Sequence, residues 1–231
     1  MHEEICSQKE VPSHTPSQNV LAIGAHPDDV EIGCGGSIAS HSKQGDRVYV
    51  AYLTRGEKSG PPKTRIAESR LACRILGTSK TVFGEFTDSN IPVDHLAIEF
   101  LEDVVREAKP EIVYTHSVNE LHQDHRNVGY VSLSAFREVQ KILAYESPRI
   151  MQNFAPSYFV DISRYIDLKW KALQAHVSQR RKNYMAYKSM INLASFRGRQ
   201  VGVNAAEGFE VIRYLQRYQG SVRTNLKRRQ R

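Results

Sequence analysis

The sequence has little cysteine and no long apolar run, and both absences narrow the classes of protein it can belong to. Its three cysteines, Cys6, Cys34 and Cys73, include no C-x-x-C pair, so neither a disulfide framework nor a cysteine zinc finger is predicted. No stretch approaches the roughly 18 to 20 apolar residues of a membrane-spanning helix. Acidic residues stand near the N-terminus, where a signal peptide has basic and apolar regions. We therefore expect a cytoplasmic protein that does not contact a membrane.

Acidic residues are also absent from the end of the chain, and this explains most of the positive charge. The formal net charge is +7, and residues 220–231 hold five basic residues. The rest of the chain is therefore nearly balanced, and nucleic acid is not an expected partner. We interpret residues 220–231 as a disordered, solvated tail. The alternative is a segment that contacts phosphates or an acidic partner.

Short apolar runs alternate with helical patterns after a polar lead at residues 1–18. This alternation predicts a single α/β domain over residues 19–219, with a Rossmann-like, mostly parallel sheet flanked by helices. Ligands of such sheets bind beyond the carboxyl ends of the strands, which directs attention to loops 25–36, 54–62 and 116–125. Strands are predicted at 19–24, 47–53, 81–83, 112–115 and 158–160. Helices are predicted up to about 44, at 63–76, from Asp94 to Pro110, up to about 143, and at 167–175, 184–196 and 205–214.

The first of these loops contains His26, Asp28 and Asp29 directly after a predicted strand. The ordinary explanation is turn chemistry, because Pro-Asp-Asp is a common way to leave a strand. The alternative is that an imidazole and two carboxylates on a proline-stiffened turn supply both metal ligands and a general base.

The third loop contains His122, Asp124 and His125, again after a predicted strand. Histidines three residues apart at a helix start can face the same side, and a carboxylate between them can fix an imidazole tautomer. A polar helix start with exposed histidines is the alternative. Because both clusters fall at one edge of one sheet, together they favour a hydrolytic zinc site. Two histidines and one carboxylate leave zinc a position for water, as in catalytic sites.

These residues also resemble a known family, the LmbE/PIG-L zinc-dependent N-deacetylases, over about residues 19–215. The paired AHPDD and HxDH motifs are highly specific. Val30 stands where many members have glutamate and Glu120 where aspartate is frequent, and neither position belongs to the implied ligand set. The segments that carry the resemblance are, in chain order, AHPDDVEIGCGG, LTRGEKSG, RIAESRLACRILG, NELHQDHRNV, ALQAHVSQ and AEGFEVIR.

The resemblance implies a role for each matching residue. His26, Asp29 and His125 would bind one zinc ion per chain, or another divalent metal. Asp28 would be the general base that takes a proton from the attacking water. It is also the first choice, before His122, to protonate the leaving amine.

The resemblance also implies roles for residues near these ligands. A protonated His122 would stabilise the oxyanion, and Asp124 would orient or charge-balance a neighbouring histidine. Arg55 would contact substrate or partner a carboxylate of the site. His176 would either contact substrate or cap a helix end. The cluster at 180–182 is a solvated face or, alternatively, favours an anionic substrate such as a nucleotide sugar.

The function implied by the resemblance is removal of the acetyl group from an N-acetylated sugar or a related small amide. Relatives are often trimers or hexamers, so the resemblance also implies a homo-oligomer. Two other classes stay open on the residues alone. One is a metal-dependent phosphoesterase, which would release phosphate and no acetate. The other is a non-enzymatic module that binds phosphate or nucleic acid through its basic tail.

Overall fold

The computed structural model describes residues 17–216, which fold around one seven-stranded sheet. Residues 1–16 of the expected lead and the whole basic tail lie outside the described residues. None of the described helices is long and apolar enough to cross a membrane. The strands are β1 Asn19–Gly24, β2 Arg47–Thr54, β3 Lys80–Phe86, β4 Ile112–His116, β5 Lys141–Tyr145, β6 Tyr158–Asp161 and β7 Ala206–Tyr214. The helices are α1 Asp29–Lys43, α2 Pro62–Leu76, α3 His95–Ala108, α4 Gln123–Ala135, α5 Ile166–Ala175 and α6 Tyr187–Val201.

The strand order places two distant loops side by side. It is β3-β2-β1-β4-β5-β7-β6, and the first five strands are parallel, while β7 is antiparallel to both its neighbours. The chain builds outward from β1 to β3 and then returns to place β4 against the other side of β1. At such a switch point the two following loops diverge and leave a crevice at the carboxyl ends of the strands. The predicted Rossmann-like, mostly parallel sheet is confirmed, and its switch point lies between the loops after β1 and β4.

Both faces of the sheet are covered, and β1 shows why. Its side chains alternate, because successive residues of a strand point to opposite faces. Val20 and Ala22 join a core formed with α1, α2 and α5. Leu21 and Ile23 join a second core formed with α3 and α4. The apolar run that predicted β1 is therefore the signature of a strand buried on both sides.

The sequence-based prediction is wrong at two elements, β5 and β7. The helix expected to reach about residue 143 ends at Ala135, and residues 141–145 form a buried strand beside β4. A short apolar run fits a buried strand and a buried helix equally well, so periodicity alone cannot separate them. The helix expected at 205–214 is β7, which pairs with β5 and β6 simultaneously. Pairing with two neighbouring strands, rather than local propensity, determines the secondary structure of this segment.

Helix α1 is interrupted at Cys34, whose φ of −141° is not helical. Glu207 of β7 reaches the interruption and accepts hydrogen bonds from the backbone N–H of Gly36 (2.9 Å) and of Ser37 (2.7 Å). Lys169 of α5 donates to the same carboxylate at 2.6 Å. Glu207 is buried. Its hydrogen bonds and its ion pair with Lys169 connect α1, α5 and β7.

We expect Glu207→Ala to lower the free energy of unfolding by about 3 to 5 kcal/mol, because it leaves the Lys169 ammonium buried without its partner. Urea denaturation monitored by circular dichroism measures this. The matched control is Glu99→Ala on the exposed side of α3, which should change stability by less than about 0.5 kcal/mol. Equal effects of the two substitutions would contradict the role assigned to Glu207.

Candidate metal centre

Two loops converge at the switch point of the sheet. The first leaves β1 at Gly24 and enters α1 at Asp29, and the second leaves β4 at His116 and enters α4 at Gln123. The first loop is tightly turned, and Asp28 has a φ of 121°, a value that a non-glycine residue adopts only under constraint from its surroundings. Such strain is typical of functional sites, since the structure around the residue must hold it in place.

Ligand atoms of three residues from these loops face one another at nearly equal distances. His26 Nδ1 lies 3.3 Å from His125 Nε2 and 3.5 Å from Asp29 Oδ2. His125 Nε2 lies 3.3 Å from Asp29 Oδ1. Ligand atoms held at zinc distances in a tetrahedral arrangement are about 3.3 to 3.4 Å apart. The three residues therefore fit a zinc ion, and they are the set implied by the family resemblance.

The centre also contains additional donors. His122 groups with His26 and His125, and His116 groups with Asp29 and His125; within each group the candidate ligand atoms lie within 4.8 Å of one another. His116 is the last residue of β4 and is buried. The centre thus has two further histidine rings beside the three-residue set, and each accepts a backbone N–H, from Asp124 for His122 and from Ala25 for His116.

Carboxylates behind the centre fix which nitrogen of each histidine faces it. His26 Nε2 lies 2.9 Å from Asp124 Oδ2 and 3.2 Å from Asp88 Oδ1. Because a carboxylate accepts, the proton of the neutral ring lies on Nε2 and the Nδ1 lone pair faces the centre. Glu120 Oε2 lies 3.3 Å from His125 Nδ1 and leaves Nε2 to face inward in the same way. Such carboxylate–histidine pairs orient metal ligands and raise their basicity.

These carboxylates are themselves held by the backbone. Asp124 is fully buried and accepts hydrogen bonds from the N–H groups of Ser89 (2.7 Å) and Ile91 (3.1 Å). Asp88 accepts from the N–H of Lys58 at 3.0 Å. The segment after β3 therefore belongs to the site, although the sequence analysis missed it. Asp88 follows a strand of the same sheet, so the strand-edge rule could have identified it.

The electrostatics of the centre favour a positive charge. Burial alone would lower the pKa of His26, but hydrogen bonds with Asp124, Asp29 and Asp88 outweigh it and raise the pKa well above its usual value. Burial is likewise outweighed in His125, chiefly by Asp29, and its pKa rises to about 9. Burial would raise the pKa of Asp29, but His125 and His116 hold it well below its usual range. The carboxylates therefore attract a cation into the centre, either protons or a metal ion.

Asp28 is paired with an arginine that the sequence analysis did not select. Arg65 of α2 is almost completely buried, and its Nη2 lies 3.1 Å from Asp28 Oδ2. The same guanidinium donates to the carbonyl of Pro27. Burial raises the pKa of Asp28, while Arg65 opposes this increase. Arg65 thus favours the charged form of this buried carboxyl group, which lies beside the donor group.

The structure places His122 against the centre. Its ring stacks on His125 with centroids 4.5 Å apart, and its Nδ1 accepts the N–H of Asp124 at 3.2 Å. A protonated His122 was expected, but burial and the nearby His125 lower its pKa and favour the neutral ring. The proton of that neutral ring lies on Nε2, because Nδ1 is an acceptor. His122 can therefore still donate one hydrogen bond.

Two expected residues are not brought together with the others. Arg55 pairs with Glu85 at the surface, where the two side chains are 44% and 83% exposed. His176 is fully buried, and its Nε2 lies 3.2 Å from Glu31 Oε1, although not at a hydrogen-bonding angle. Neither side chain lines the cavity that contains the donor atoms. Burial would lower the pKa of His176, but Glu31 raises it. His176 and Glu31 therefore form a buried pair that lies outside the cavity lining.

The centre opens into a cavity of about 140 Å³. A second, more apolar cavity of about 150 Å³ adjoins it, and the two share Ile32, Pro148 and Tyr184. The first cavity has room for a small group above the donor atoms. Its lining consists of His26, Asp28, Asp29, Ile32, Lys58, Ser59, Arg65, Asp88, Ser89, His122, His125, Pro148, Arg149, Lys182 and Tyr184.

Fold and site together define an α/β protein with a histidine and carboxylate centre at the switch point of a Rossmann-like sheet. Residues 21–136 match the model of the PIG-L family, described as GlcNAc-PI de-N-acetylase. An Escherichia coli protein named as an uncharacterized deacetylase, YaiS, is 37% identical over 170 residues, covering 70% of this chain and 91% of its own length. The chain therefore belongs to the PIG-L family, which confirms the resemblance inferred from its motifs.

Other similar proteins are named for different reactions, one a deacetylase and one a hydratase. Diacetylchitobiose deacetylase of Thermococcus kodakarensis is 28% identical and is matched over 84% of this chain and 83% of its own. The 4-oxalmesaconate hydratase of Pseudomonas putida is 27% identical over 97% of this chain and 98% of its own. Among solved structures, the conserved protein TT1542 of Thermus thermophilus superposes with a TM-score of 0.80 at 26% identity, covering 89% of this chain and 99% of its own.

We expect Arg65 and Arg55 to differ strongly in their effect on stability. Arg65→Met leaves Asp28 buried without a cation, which should cost about 3 kcal/mol or more and lower the Tm by about 6 to 12 °C. Arg55→Met removes only an exposed ion pair, worth at most about 1 kcal/mol. Calorimetric melting of both variants tests this. A Tm for Arg65→Met as high as that for Arg55→Met would refute the buried pair.

Proposed function

We propose that this chain is a zinc-dependent hydrolase that removes the acetyl group from an N-acetylated sugar. The observation that carries the proposal is the group formed by His26, Asp29 and His125, with donor atoms spaced 3.3 to 3.5 Å apart beside the buried carboxylate of Asp28. The names of two relatives, a diacetylchitobiose deacetylase and an uncharacterized deacetylase, support the choice of an acetamide as substrate.

His26, Asp29 and His125 would hold the metal, and the carboxylates of Asp124 and Glu120 would keep the two rings in place. A zinc ion with such ligands acidifies water and polarises a carbonyl group. The fit rests on the donor spacing and on the excess of negative charge around the histidines.

Asp28 is placed to act as the general base. Arg65 engages its Oδ2, and the carboxylate lines the cavity, so Oδ1 can accept a proton from the attacking water. The same carboxyl group can then pass that proton to the leaving amine, which completes the hydrolysis. Arg65 would act by keeping Asp28 charged and oriented.

His122 is placed to stabilise the oxyanion that forms as water attacks the carbonyl. Its Nδ1 is occupied by the N–H of Asp124, so the Nε2–H of the neutral ring is the donor. A preorganised donor aimed at a developing oxyanion is typically worth about 10²- to 10³-fold in kcat. A neutral ring with its proton on Nε2 is sufficient for this role, whereas the family resemblance implied a protonated ring.

A second candidate, addition of water to a carbon–carbon double bond, is supported by the near-complete match to a protein named 4-oxalmesaconate hydratase. Water activation beside a carboxylate base serves either reaction. The two reactions differ in product. A hydratase converts an unsaturated acid into one hydrated product, whereas a deacetylase releases acetate and an amine.

Acetate release measured on zinc-loaded protein with N-acetylglucosamine, its glycosides and chitooligosaccharides tests the proposal. We expect release that Asp28→Asn lowers at least about 100-fold in kcat, because the general base is lost, while bound zinc measured by elemental analysis stays stoichiometric. His26→Ala should lose the metal itself.

Acetate release at the wild-type rate by Asp28→Asn would refute the assignment of the base. Two products measured in parallel cover the competing reactions. Loss of the ultraviolet absorbance of a conjugated dicarboxylic acid without acetate release would replace the deacetylase proposal with the hydratase. Release of inorganic phosphate from phosphate esters, again without acetate, would replace it with the phosphoesterase.

Asp124→Asn and Glu120→Gln should each weaken zinc binding by about 10- to 100-fold, because both remove a carboxylate that orients a ligand histidine. Competition with a chromogenic chelator measures this affinity independently of turnover. The matched control is Asp161→Asn, which lies on β6 and is exposed. A zinc affinity equal to that of the control would show that these carboxylates do not support the ligands.

A further inference from the structure

Three basic side chains line the cavity near its opening to solvent, and none has an acidic partner among residues 17–216. Lys58, Arg149 and Lys182 line the same cavity as His26 and Asp28. Within residues 17–216, no carboxylate oxygen lies within 4.0 Å of their charged nitrogens. Lys58 and Arg149 are exposed, and Lys182 is half-buried. We call these three side chains the basic rim.

The basic rim differs from the other cations near the site. Arg65 pairs with Asp28, Lys169 with Glu207, and Arg197 with Glu146. Those three ion pairs fulfil structural needs, since each neutralises a buried or half-buried carboxylate. Within the described part of the chain the basic rim has no such carboxylate partner, and Lys182 Nζ instead lies 5.6 Å from the centre of the Tyr184 ring.

The fold also fixes where the basic rim lies. The backbone N–H of Lys58 donates to Asp88, and the carbonyl of the next residue, Ser59, accepts from the side chain of Gln179 at 3.1 Å. The N–H of Lys182 donates to the carbonyl of Gln179 at 3.0 Å. Gln179 therefore ties the segments of both lysines together on one side of the cavity.

Arg149 is anchored on the side of His122. Its carbonyl accepts the N–H of Leu121 at 3.0 Å, and its N–H donates to Ser147 Oγ at 3.3 Å. Ser147 in turn donates to Glu120, the partner of His125. The basic rim is thus attached to the backbone of the same segments that build the centre.

We propose that the basic rim binds an anionic group of the substrate, so that the substrate is an N-acetylated compound carrying a carboxylate or phosphate near its acetamide. The inference rests on the proposed function for the position of the acetamide. Its physical basis is that unpaired cations gathered at a concave entrance attract an anion, and that hydrogen bonds to charged groups are among the stronger ones. The carboxylates deeper in the cavity are directed toward the histidines and Arg65, so they leave the charge of the entrance positive.

Binding of amino sugars to the full chain, measured by titration calorimetry, tests the inference without turnover. The probes are glucosamine, glucosamine 6-phosphate and muramic acid, which share one ammonium group and differ in carrying no anionic group, a phosphate or a carboxylate. We expect at least one anionic probe to bind about tenfold or more tightly than glucosamine, with the advantage shrinking as salt is raised. The titration is repeated on metal-free protein, so that direct binding of the anion to metal does not contribute.

Lys182→Gln and Arg149→Gln should each reduce that advantage by about three- to tenfold, while glucosamine, which has no anionic group, loses no affinity. The matched control is Arg181→Gln, which removes the same charge from an exposed neighbour that does not line the cavity. Equal affinity for all three probes, or an equal loss with Arg181→Gln, would overturn the inference. Anion binding that depends on the basic rim would uphold it even if no acetate is released, so the two proposals can fail separately.

Discussion

The structure of the site depends on one constraint, the concentration of buried negative charge at the switch point of the sheet. A buried carboxylate is costly unless it is paired and hydrogen-bonded. In this site each buried carboxylate contacts histidine rings, one buried arginine or backbone N–H groups. Those partners come from several separate segments of the chain, so neutralising the charge also fixes the loops in relation to one another. The five carboxylates concerned are Asp28, Asp29, Asp88, Glu120 and Asp124.

The same constraint explains features that are distant from the centre. Helix α1 must begin at Asp29 so that its first turn points at the crevice, and it is interrupted at Cys34 only five residues later. Glu207 accepts the N–H groups freed by that interruption, and Lys169 balances its charge. A buried ion pair in the second half of the chain therefore supports the helix that carries the first loop. Since β7 supplies Glu207, the antiparallel end of the sheet also contributes to the site.

The sequence was sufficient for the parts that depend on local pattern. Apolar runs identified β1 and β4, and the strand-edge rule identified the loops that bring His26 and His125 together. It was insufficient where a role depends on distant partners. Nothing in the local sequence distinguishes Arg65 from Arg55, yet only Arg65 lies under the first loop. Residues 141–145 likewise form a strand because they pair with β4, which their local pattern does not show. The family resemblance named the three-residue set, and the strand-edge rule applied to β3 would have added Asp88. The direction of each imidazole depends on partners from distant segments, so it could not be predicted from the sequence.

The division of the cavity between two sets of segments has an evolutionary consequence. The donor group comes from the loops after β1 and β4, whereas the side chains of the entrance come from residues 58, 149 and 182. Mutations that alter the entrance can therefore accumulate without touching the histidine and carboxylate donor group. A lineage could change which molecule it accepts while keeping its reaction centre, and relatives of similar length could diverge in substrate before they diverge in fold.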